Sequence, residues 1–325
     1  MLSAWREFLC GKRKRKDVAE FSLNLMGNVI TLHQDLLRKT YKHGSYQLFK
    51  INDPKPRDIH KASVRDRLLH HAIYRILCPY FDKKFIYDSY SCRINKGTHR
   101  AISRLNKFAL KISRNHTRTV WILKCDIKKF FASINHETLK SILKNNLKDS
   151  DVEWLLGRVI DSFHTDGKPG VGLPLGNLTS QLLVNIYMNE FDQFIKRKLK
   201  TRCYIRYADD FVILNGDRNY LQDLIPRISE FLETKLKLTL HPDKLFIKTL
   251  ASGIDFLGWI SFPRHRVLRT STKRRMFARI KEKSGNDNTV QSYLGLLSHG
   301  NTHKVKDKIE EQLNQTKTDP FKNLP

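Results

Sequence analysis

The sequence has few acidic residues for its size. Its 325 residues include 32 Asp and Glu against 60 Lys and Arg, so the formal net charge is +28. Such an excess of one sign destabilises a compact state unless a polyanion screens it, and nucleic acid is the expected partner. The basic residues are spread along the chain, as in "KRKRK" at 12–16, "KRKLK" at 196–200 and "TKRRMFARIKEK" at 272–283. This spread favours a long binding surface over a single charged tail, with an ordinary basic globular protein as the alternative.

The sequence also lacks the signatures of zinc sites, disulfide frameworks and membrane spans. Its five cysteines are scattered and none belongs to a C-x-x-C pair, which argues for a reducing compartment and against a structural zinc. No apolar run reaches the roughly 18 residues that a membrane span needs. The N-terminus has no signal-peptide core. We therefore expect a globular protein of the cytoplasm with no membrane partner.

Glycine and proline divide the chain into a few regions without internal repeats. The first 44 residues are basic and show helical spacing, and "YQLFKINDPKPRDIH" at 46–60 predicts two short strands around a turn at Asp53–Pro56. The next segment predicts a helix that ends at Pro79 and has Ile73, Ile76 and Leu77 on its apolar face.

Three aspartates stand at the ends of apolar segments. Asp126 follows "TVWILKC", and Asp209 and Asp210 lie inside "YIRYADDFVIL", which predicts two strands about a tight turn. A Gly-rich loop opens a long helix between them, and further short strands follow at 238–250 and 254–260. The order of elements predicts an α+β fold in which helices back an antiparallel sheet.

Neighbouring carboxylates in a partly dry setting repel one another unless protons or cations compensate. Ligation by oxygen alone, without His or Cys nearby, suits Mg²⁺. Two such ions about 3.5–4 Å apart can activate a 3′-hydroxyl and stabilise the leaving pyrophosphate of a phosphoryl transfer. An Asp-Asp pair in an ordinary solvated turn is the alternative, but the apolar flanks "YIRY" and "FVIL" disfavour it. The acids therefore predict metal-dependent nucleotide polymerisation.

These motifs resemble those of the reverse transcriptases from about residue 53 to residue 303. "YADD" at 207–210 resembles that family's catalytic hairpin, and "CDIKKFFASI" at 125–134 resembles its first catalytic strand. The resemblance implies a right-hand polymerase fold of fingers, palm with antiparallel sheet, and thumb. It also implies DNA synthesis from dNTPs on template RNA with a DNA primer, with two Mg²⁺ held by Asp126, Asp209 and Asp210 as catalytic and metal-binding acids.

The same resemblance assigns residues around the acids. Phe131 would be the steric gate that excludes a 2′-hydroxyl. The alternative for both Phe130 and Phe131 is core packing, and we expect core packing for Phe130. The implied nucleotide-binding residues are Lys55, Arg57, Phe131, Leu175, Gly176, Tyr207 and Lys244, and Lys55 and Arg57 are alternatively solvated strand residues. The implied template- or primer-binding residues are Arg93, Gly97, Gln181, Leu257 and Gly258. The implied domains are an N-terminal basic helical extension (1–44), fingers (45–118), palm (119–262, with a helical fingers insertion near 140–170) and thumb (263–325).

One departure from the common family pattern refines the resemblance. In "LPLGNLTSQ" at 173–181, Leu175 replaces the usual Gln and Gln181 the usual Pro, as in the reverse transcriptases of diversity-generating retroelements. An aliphatic side chain at 175 would relax checking of the nascent base pair, so we expect error-prone copying of template adenines; a neutral packing residue is the alternative. Gly176 would let the backbone approach the nucleotide.

This subtype implies particular partners and leaves rivals open. The partners would be a structured template RNA from the same locus and a small basic accessory protein that forms a helical-bundle oligomer, in a cytoplasmic enzyme encoded by a bacterium or a phage. The segment after Gly258 is too short for a maturase, endonuclease or RNase H, which disfavours an autonomous group II intron protein. The rivals are a domesticated antiphage-defence reverse transcriptase with a dedicated non-coding RNA, an RNA-dependent RNA polymerase and a non-catalytic RNA-binding scaffold.

Overall fold

A computed structural model describes residues 1–52, 56–282 and 286–317, with side chains as far as residue 313. Its helices are α1 (Leu2–Phe8), α2 (Lys16–Leu23), α3 (Leu25–Leu37), α4 (Val64–Asp82), α5 (Thr98–Ile112), α6 (His136–Asn146), α7 (Ser150–Ile160), α8 (Leu178–Gln193), α9 (Arg218–Leu236), α10 (Thr270–Glu282), α11 (Asp287–Leu297) and α12 (His303–Lys317). Its strands are β1 (Gln47–Ile51), β2 (Arg57–Lys61), β3 (Trp121–Asp126), β4 (Tyr204–Tyr207), β5 (Asp210–Asn215), β6 (Phe246–Thr249), β7 (Ile254–Phe256), β8 (Trp259–Ser261) and β9 (Arg266–Leu268).

The chain forms two compact units. The first unit contains residues 1–96, 125–211 and 224–245, and the second unit contains residues 97–124, 212–223 and the chain from 246 onward. The first unit carries all three predicted metal-binding acids. The predicted boundaries of fingers, palm and thumb remain a prediction.

Three sheets confirm the predicted α+β plan. Strands β1 and β2 form the predicted antiparallel hairpin, with Gln47 opposite Lys61 and Ile51 opposite Arg57; residues 53–55 of its predicted turn lie outside the described residues. A four-stranded sheet has the order β4-β5-β3-β6, with β3 antiparallel to β6. The third sheet has the order β7-β8-β9 and is antiparallel throughout. The central sheet positions the candidate site, because β3 and β5 are neighbours and each has a predicted acid at one end.

The N-terminal helices use several of the scarce acids to bind α4 and β2. Trp5 and Phe8 of α1 are buried. Ion pairs join acids of the N-terminal segment to bases of β2 and α4: Glu7–Arg75, Asp17–Lys61, Asp17–Arg67 and Asp35–Arg65. The predicted helical character of residues 1–44 is confirmed, and the segment is an integral part of the first unit.

Two predictions for α4 are wrong. Pro79 lies inside α4, which continues to Asp82. A proline so near a helix end removes only the bond to the carbonyl of Arg75, a residue exposed to solvent, so the helix can continue for three residues. Ile76 is 71% exposed, while Ile73 and Leu77 are buried as predicted.

Over the described part of the chain, none of the helices has the length and apolar character of a membrane span.

Candidate active site

Strand β3 delivers Asp126 to the end of a buried strand. Ile122, Leu123 and Cys125 are buried in the sheet, so the apolar pattern of the strand fixes its position by packing. The side chain of Asp126 is 15% exposed, and its backbone carbonyl accepts a hydrogen bond from the N–H of His241 at 2.8 Å.

The YADD segment forms the predicted hairpin. Strand β4 ends at Tyr207 and β5 begins at Asp210, so Ala208 and Asp209 are the two residues of the connection. Ala208 has a φ of +55°, a left-handed conformation that costs a residue with a Cβ on the order of 1 kcal/mol. The sheet holds the strained turn in place, because Tyr204 and Ile205 before it and Phe211 after it are fully buried.

Asp209 interacts electrostatically with Asp126, which ends the strand next to β5. Burial raises the pKa of Asp209, and repulsion from the Asp126 carboxylate raises it further. The charges of Lys244 and Arg57 act in the opposite direction. Lys244 lies beside Asp126, with 2.8 Å between its Nζ and the Oδ1 of the aspartate. Two remote parts of the sequence therefore supply repelling carboxylates, and two others supply cations that partly compensate them.

The carboxylate pair has the chemistry of a Mg²⁺ site but is not a preformed cage. Within the described ranges, no group of three His, Cys, Asp or Glu side chains is assembled in a geometry that could hold a metal ion. Asp126 and Asp209 repel each other electrostatically, and Asp210 is next in the chain at the start of β5. Their donors are carboxylate oxygens alone, which fits a hard divalent cation. Burial and then the charge of Asp126 raise the pKa of Asp209, and such a cation would offset this repulsion.

The Gly-rich loop is bonded to both the Asp126 strand region and β2. The N–H of Leu173 donates to the carbonyl of Phe131 at 2.8 Å, and the N–H of His60 donates to the carbonyl of Leu175 at 3.0 Å. The amide of Asn177 donates to the carbonyl of His60 at 2.8 Å, so it binds β2 rather than capping α8. Backbone hydrogen bonds thus connect the loop that carries Leu175 to Phe131 on one side and to β2 on the other.

The structure gives a reason for Gly176 in addition to the predicted one. Its φ is +101°, and a Cβ at this position would lie 2.7 Å from Cγ2 of Ile59. The missing side chain therefore makes room for β2 as well as permitting the left-handed conformation. Gly176 is exposed, which is compatible with close approach to a nucleotide. That approach remains a prediction.

The two adjacent phenylalanines have different surroundings. Phe130 is 3% exposed and belongs to the core, as predicted. Phe131 is half-buried, and its ring lies at an angle to that of Phe130 with 5.5 Å between centroids. This exposure is compatible with the predicted contact to the sugar of a nucleotide.

Arg93 is committed to the protein interior. Its guanidinium donates to the Oδ1 and carbonyl of Asp82 and to the carbonyls of Ile86 and Ser89. These contacts use four of the five N–H donors of an arginine, which leaves one for the predicted template contact. The structure indicates a supporting role in which Arg93 shapes the segment before α5.

The other predicted residues are distributed over both units. Gln181 is half-buried in the first turn of α8, and Tyr207 is half-buried at the end of β4. Gly97 precedes α5 with a φ of +107°. Leu257 and Gly258, which like Gly97 belong to the second unit, form the two-residue turn between β7 and β8, and both have positive φ. Lys55 lies outside the described residues.

Sequence reasoning missed one buried arginine beside the acids. Arg206, in the middle of β4, is among the largest fully buried side chains, and its guanidinium forms an ion pair with Asp192 of α8. The signal was an arginine inside the otherwise apolar and aromatic "YIRY", because a charged side chain in a buried strand needs a dedicated partner.

The profile of one protein family matches two thirds of the chain. It is described as "Reverse transcriptase (RNA-dependent DNA polymerase)" and matches residues 48–261. Protein YkfC of Escherichia coli K12 is 27% identical over 287 residues, which cover 75% of this chain and 73% of YkfC. The group II intron-encoded protein LtrA of Lactococcus lactis subsp. cremoris is 24% identical over 276 residues, which cover 65% of this chain and 45% of LtrA. The chain thus spans less than half the length of LtrA.

Solved structures show the same fold at low identity. Apo telomerase from Candida tropicalis, truncated from its C-terminal domain, superposes with a TM-score of 0.52 at 12% identity. The superposition covers 75% of this chain and 60% of the telomerase chain. At this identity the likeness shows the fold alone, and it confirms the predicted right-hand polymerase fold.

Proposed function

The chain belongs to the reverse transcriptase (RNA-dependent DNA polymerase) family, and from this premise we propose that it extends a DNA primer on template RNA with Asp126, Asp209 and Asp210 as the metal-binding acids. The observation that carries the proposal is that the neighbouring strands β3 and β5 bear Asp126 and Asp210 at their ends, with Asp209 beside them and repelled by Asp126. Two bound Mg²⁺ would activate the primer 3′-hydroxyl and stabilise the leaving pyrophosphate.

The residues around the acids support specific roles. Arg57 and Lys244 both act electrostatically on Asp209, and both would bind the triphosphate of a dNTP through charge-assisted hydrogen bonds. Phe131 would exclude a 2′-hydroxyl by contact with the sugar. Tyr207 and Gly176 would border the nucleotide, and Lys55 would join Arg57.

The second unit supplies a basic surface suited to the primer and template. Helix α10 carries cationic side chains along its length: Lys273, Arg274, Arg275, Arg279 and Lys281. With Leu257 and Gly258 at a nearby point in the chain, this region would bind the phosphate backbone of the duplex. Binding should weaken steeply with salt, because each neutralised phosphate releases a counterion.

The finer assignment is to the diversity-generating type. It is supported by two departures from the common family pattern, Leu175 in the loop bonded to β2 and Gln181 in the first turn of α8, and by "KGTHRAI" and "DRLLHHAI". On this assignment the template is a structured RNA from the same locus, the accessory partner is a small basic helical-bundle oligomer, and adenines are copied with errors. The rival is an antiphage-defence enzyme with its own non-coding RNA.

Extension of a DNA primer on an RNA template, with Mg²⁺ and dNTPs, tests the activity. We expect DNA products, loss of activity in Asp209→Asn and strong preference for dNTPs over rNTPs, with the preference reduced in Phe131→Val. Equal use of rNTPs by the wild type would instead support an RNA-dependent RNA polymerase. Full biological activity of Asp209→Ala would support a non-catalytic scaffold.

Sequencing of the product separates the two finer assignments. The diversity-generating assignment predicts frequent misincorporation opposite adenine in the wild type, reduced in Leu175→Gln and retained in Leu175→Met, the matched aliphatic control. Accurate copying by the wild type would overturn that assignment and favour the defence enzyme.

A further inference from the structure

The guanidinium of Arg206 is fully hydrogen-bonded in the interior of the first unit. Both Arg206 and Asp192 have 0% side-chain exposure. Nε donates to Oδ1 of Asp192 at 2.8 Å, and Nη2 donates to Oδ2 of Asp192 at 2.7 Å. The hydroxyl of Tyr204 donates to the same carboxylate at 2.7 Å. The bidentate pair fixes the plane of the guanidinium, because both Asp192 oxygens and two arginine nitrogens are engaged.

The remaining donors connect three segments. Nη2 also donates to the hydroxyl of Ser89 at 3.1 Å, and Nη1 donates to Oδ1 of Asn185 at 3.3 Å. The last N–H of Nη1 donates to the backbone carbonyl of Ala208 at 3.1 Å. The five N–H groups of the side chain therefore have five acceptors, one of which is in the connection that carries Asp209.

Ala208 is the strained residue of that connection. Its φ of +55° is disfavoured for alanine, and such a conformation persists where surrounding contacts fix it. The hydrogen bond from Arg206 is such a contact, because it determines the orientation of the peptide between Ala208 and Asp209. Asp192 and Asn185 lie seven residues apart on one face of α8, so the guanidinium is anchored to a rigid, buried helix.

We propose that Arg206 is a positioning residue of the active site, which holds the Ala208 carbonyl and thereby sets where Asp209 and Asp210 present their carboxylates to Mg²⁺. The inference rests on the proposed function. A buried salt bridge by itself is weak evidence for stability, since apolar replacements of similar volume are often neutral. The geometry gives Arg206 a second role, because one of its N–H donors binds the Ala208 carbonyl in the turn and takes no part in the ion pair with Asp192.

Arg206→Lys is the test variant. It keeps a positive charge beside Asp192, but a single ammonium cannot reproduce the fork that reaches Asp192 and Ala208 together. Removal of a residue that orients metal ligands typically costs about 10–100-fold in metal affinity or activity, so the Mg²⁺ concentration for half-maximal effect should rise by about that factor. The KM for dNTP should stay within about twofold, because the nucleotide contacts are unchanged.

Two readouts separate positioning from stability and from the proposed function. The first is the midpoint of Mg²⁺ binding, obtained by fitting the logarithmic rise of the melting temperature with Mg²⁺ concentration, which needs no turnover. The second is the Mg²⁺ dependence of kcat in primer extension. Ser89→Ala is the matched control, since it removes one acceptor of the same guanidinium and leaves the Ala208 bond; both midpoints should stay within about twofold of the wild type.

Each outcome decides a separate question. Unchanged Mg²⁺ midpoints in Arg206→Lys would overturn the positioning role, and so would an equal shift in Ser89→Ala. A wild type that binds Mg²⁺ but makes no DNA would overturn the proposed function instead. If Arg206→Lys does not melt cooperatively, the triple variant Arg206→Met/Asp192→Leu/Tyr204→Phe is used instead, because the triple variant leaves no unpaired charge. Its Mg²⁺ midpoints are compared with those of the wild type in the same way.

Discussion

Two aspartates of the first unit, the buried Asp192 and the half-buried Asp209, have opposite electrostatic surroundings. Asp192 accepts hydrogen bonds from Tyr204 and from two nitrogens of Arg206. Burial opposes the charge of that arginine, but Asp192 reverses the effect and raises the pKa of Arg206 above its ordinary value. Asp209, in the turn that follows β4, has its pKa raised by burial and by Asp126.

The difference separates an acid whose charge the fold compensates from an acid whose charge, on the proposed function, Mg²⁺ would offset. Around Asp192 the protein supplies the compensating charge, so the pair contributes to the structure in the absence of any ligand. Around Asp209, Lys244 and Arg57 compensate only part of the negative charge. A metal ion would offset the remainder. Uncompensated repulsion between charged groups is typical of functional sites, where residues needed for activity lower the stability of the fold.

The largest expected effect comes from Asp209→Asn. Primer extension should fall by about 10³-fold or more, because the variant would lose a proposed ligand of the metal ions. Stability should change in the opposite direction. A carboxyl whose folded-state pKa is raised stabilises the fold only below its unfolded pKa and loses that contribution as pH rises through the folded value. The variant should therefore melt at a higher temperature than the wild type at pH 7 without Mg²⁺, and at an equal temperature below about pH 4.

Thermal melting with and without Mg²⁺ checks this prediction. The wild type should gain stability on addition of Mg²⁺, and Asp209→Asn should gain less. An inactive variant that melts below the wild type at pH 7 would remove the basis for the difference between the two acids.

The second effect is a loss of stability in Asp192→Asn. The substitution leaves Arg206 buried with its charge uncompensated, which costs about 3–5 kcal/mol for pairs of this kind. Urea unfolding measures the change. Asp35→Asn is the matched control, because its partner Arg65 is partly exposed and such pairs are worth about 0–1 kcal/mol. Equal losses in the two variants would show that the buried pair is not special.

A smaller effect is expected from Lys244→Met. The side chain of Lys244 is 41% exposed, so solvent screening limits its contribution to about 1 kcal/mol or less. Without Mg²⁺ the variant should melt slightly below the wild type at low ionic strength, and high salt should reduce the difference. Lys248→Met, an equal change of net charge at an exposed residue of β6, should leave the melting temperature unchanged. An equal decrease in both variants would mean that net charge, and not the carboxylate pair, is responsible.

The smallest effect concerns the turn. Ala208→Gly relieves the left-handed strain but adds flexibility to the unfolded chain, so the two terms nearly cancel and stability should change by less than about 1 kcal/mol. Ala19→Gly, at an exposed position inside α2, should lower stability by about 0.5–1 kcal/mol. If Ala208→Gly lost more than this control in chemical denaturation, the turn at Ala208 would not be strained.

Much of the site follows from local pattern. The apolar stretches before Asp126 and around Asp209 predicted buried strands with acids at their ends, and β3, β4 and β5 are these strands. The reason for Gly176 could not be predicted, because the Ile59 side chain that excludes a Cβ belongs to a distant strand. Pro79 and Ile76 show the limit of helical pattern, since burial of a helix face depends on which neighbours cover it.

The sequence by itself determined the excess of positive charge, the strands that carry the aspartates and the tight turn at Ala208 and Asp209. These properties depend on composition and on neighbours in the chain. Only the tertiary structure decided which acid is neutralised and which is not. Coulomb interactions depend on distance in space and on burial, so the contacts Asp192–Arg206, Asp126–Lys244 and Asp126–Asp209 arise only once the helix and the sheet are packed.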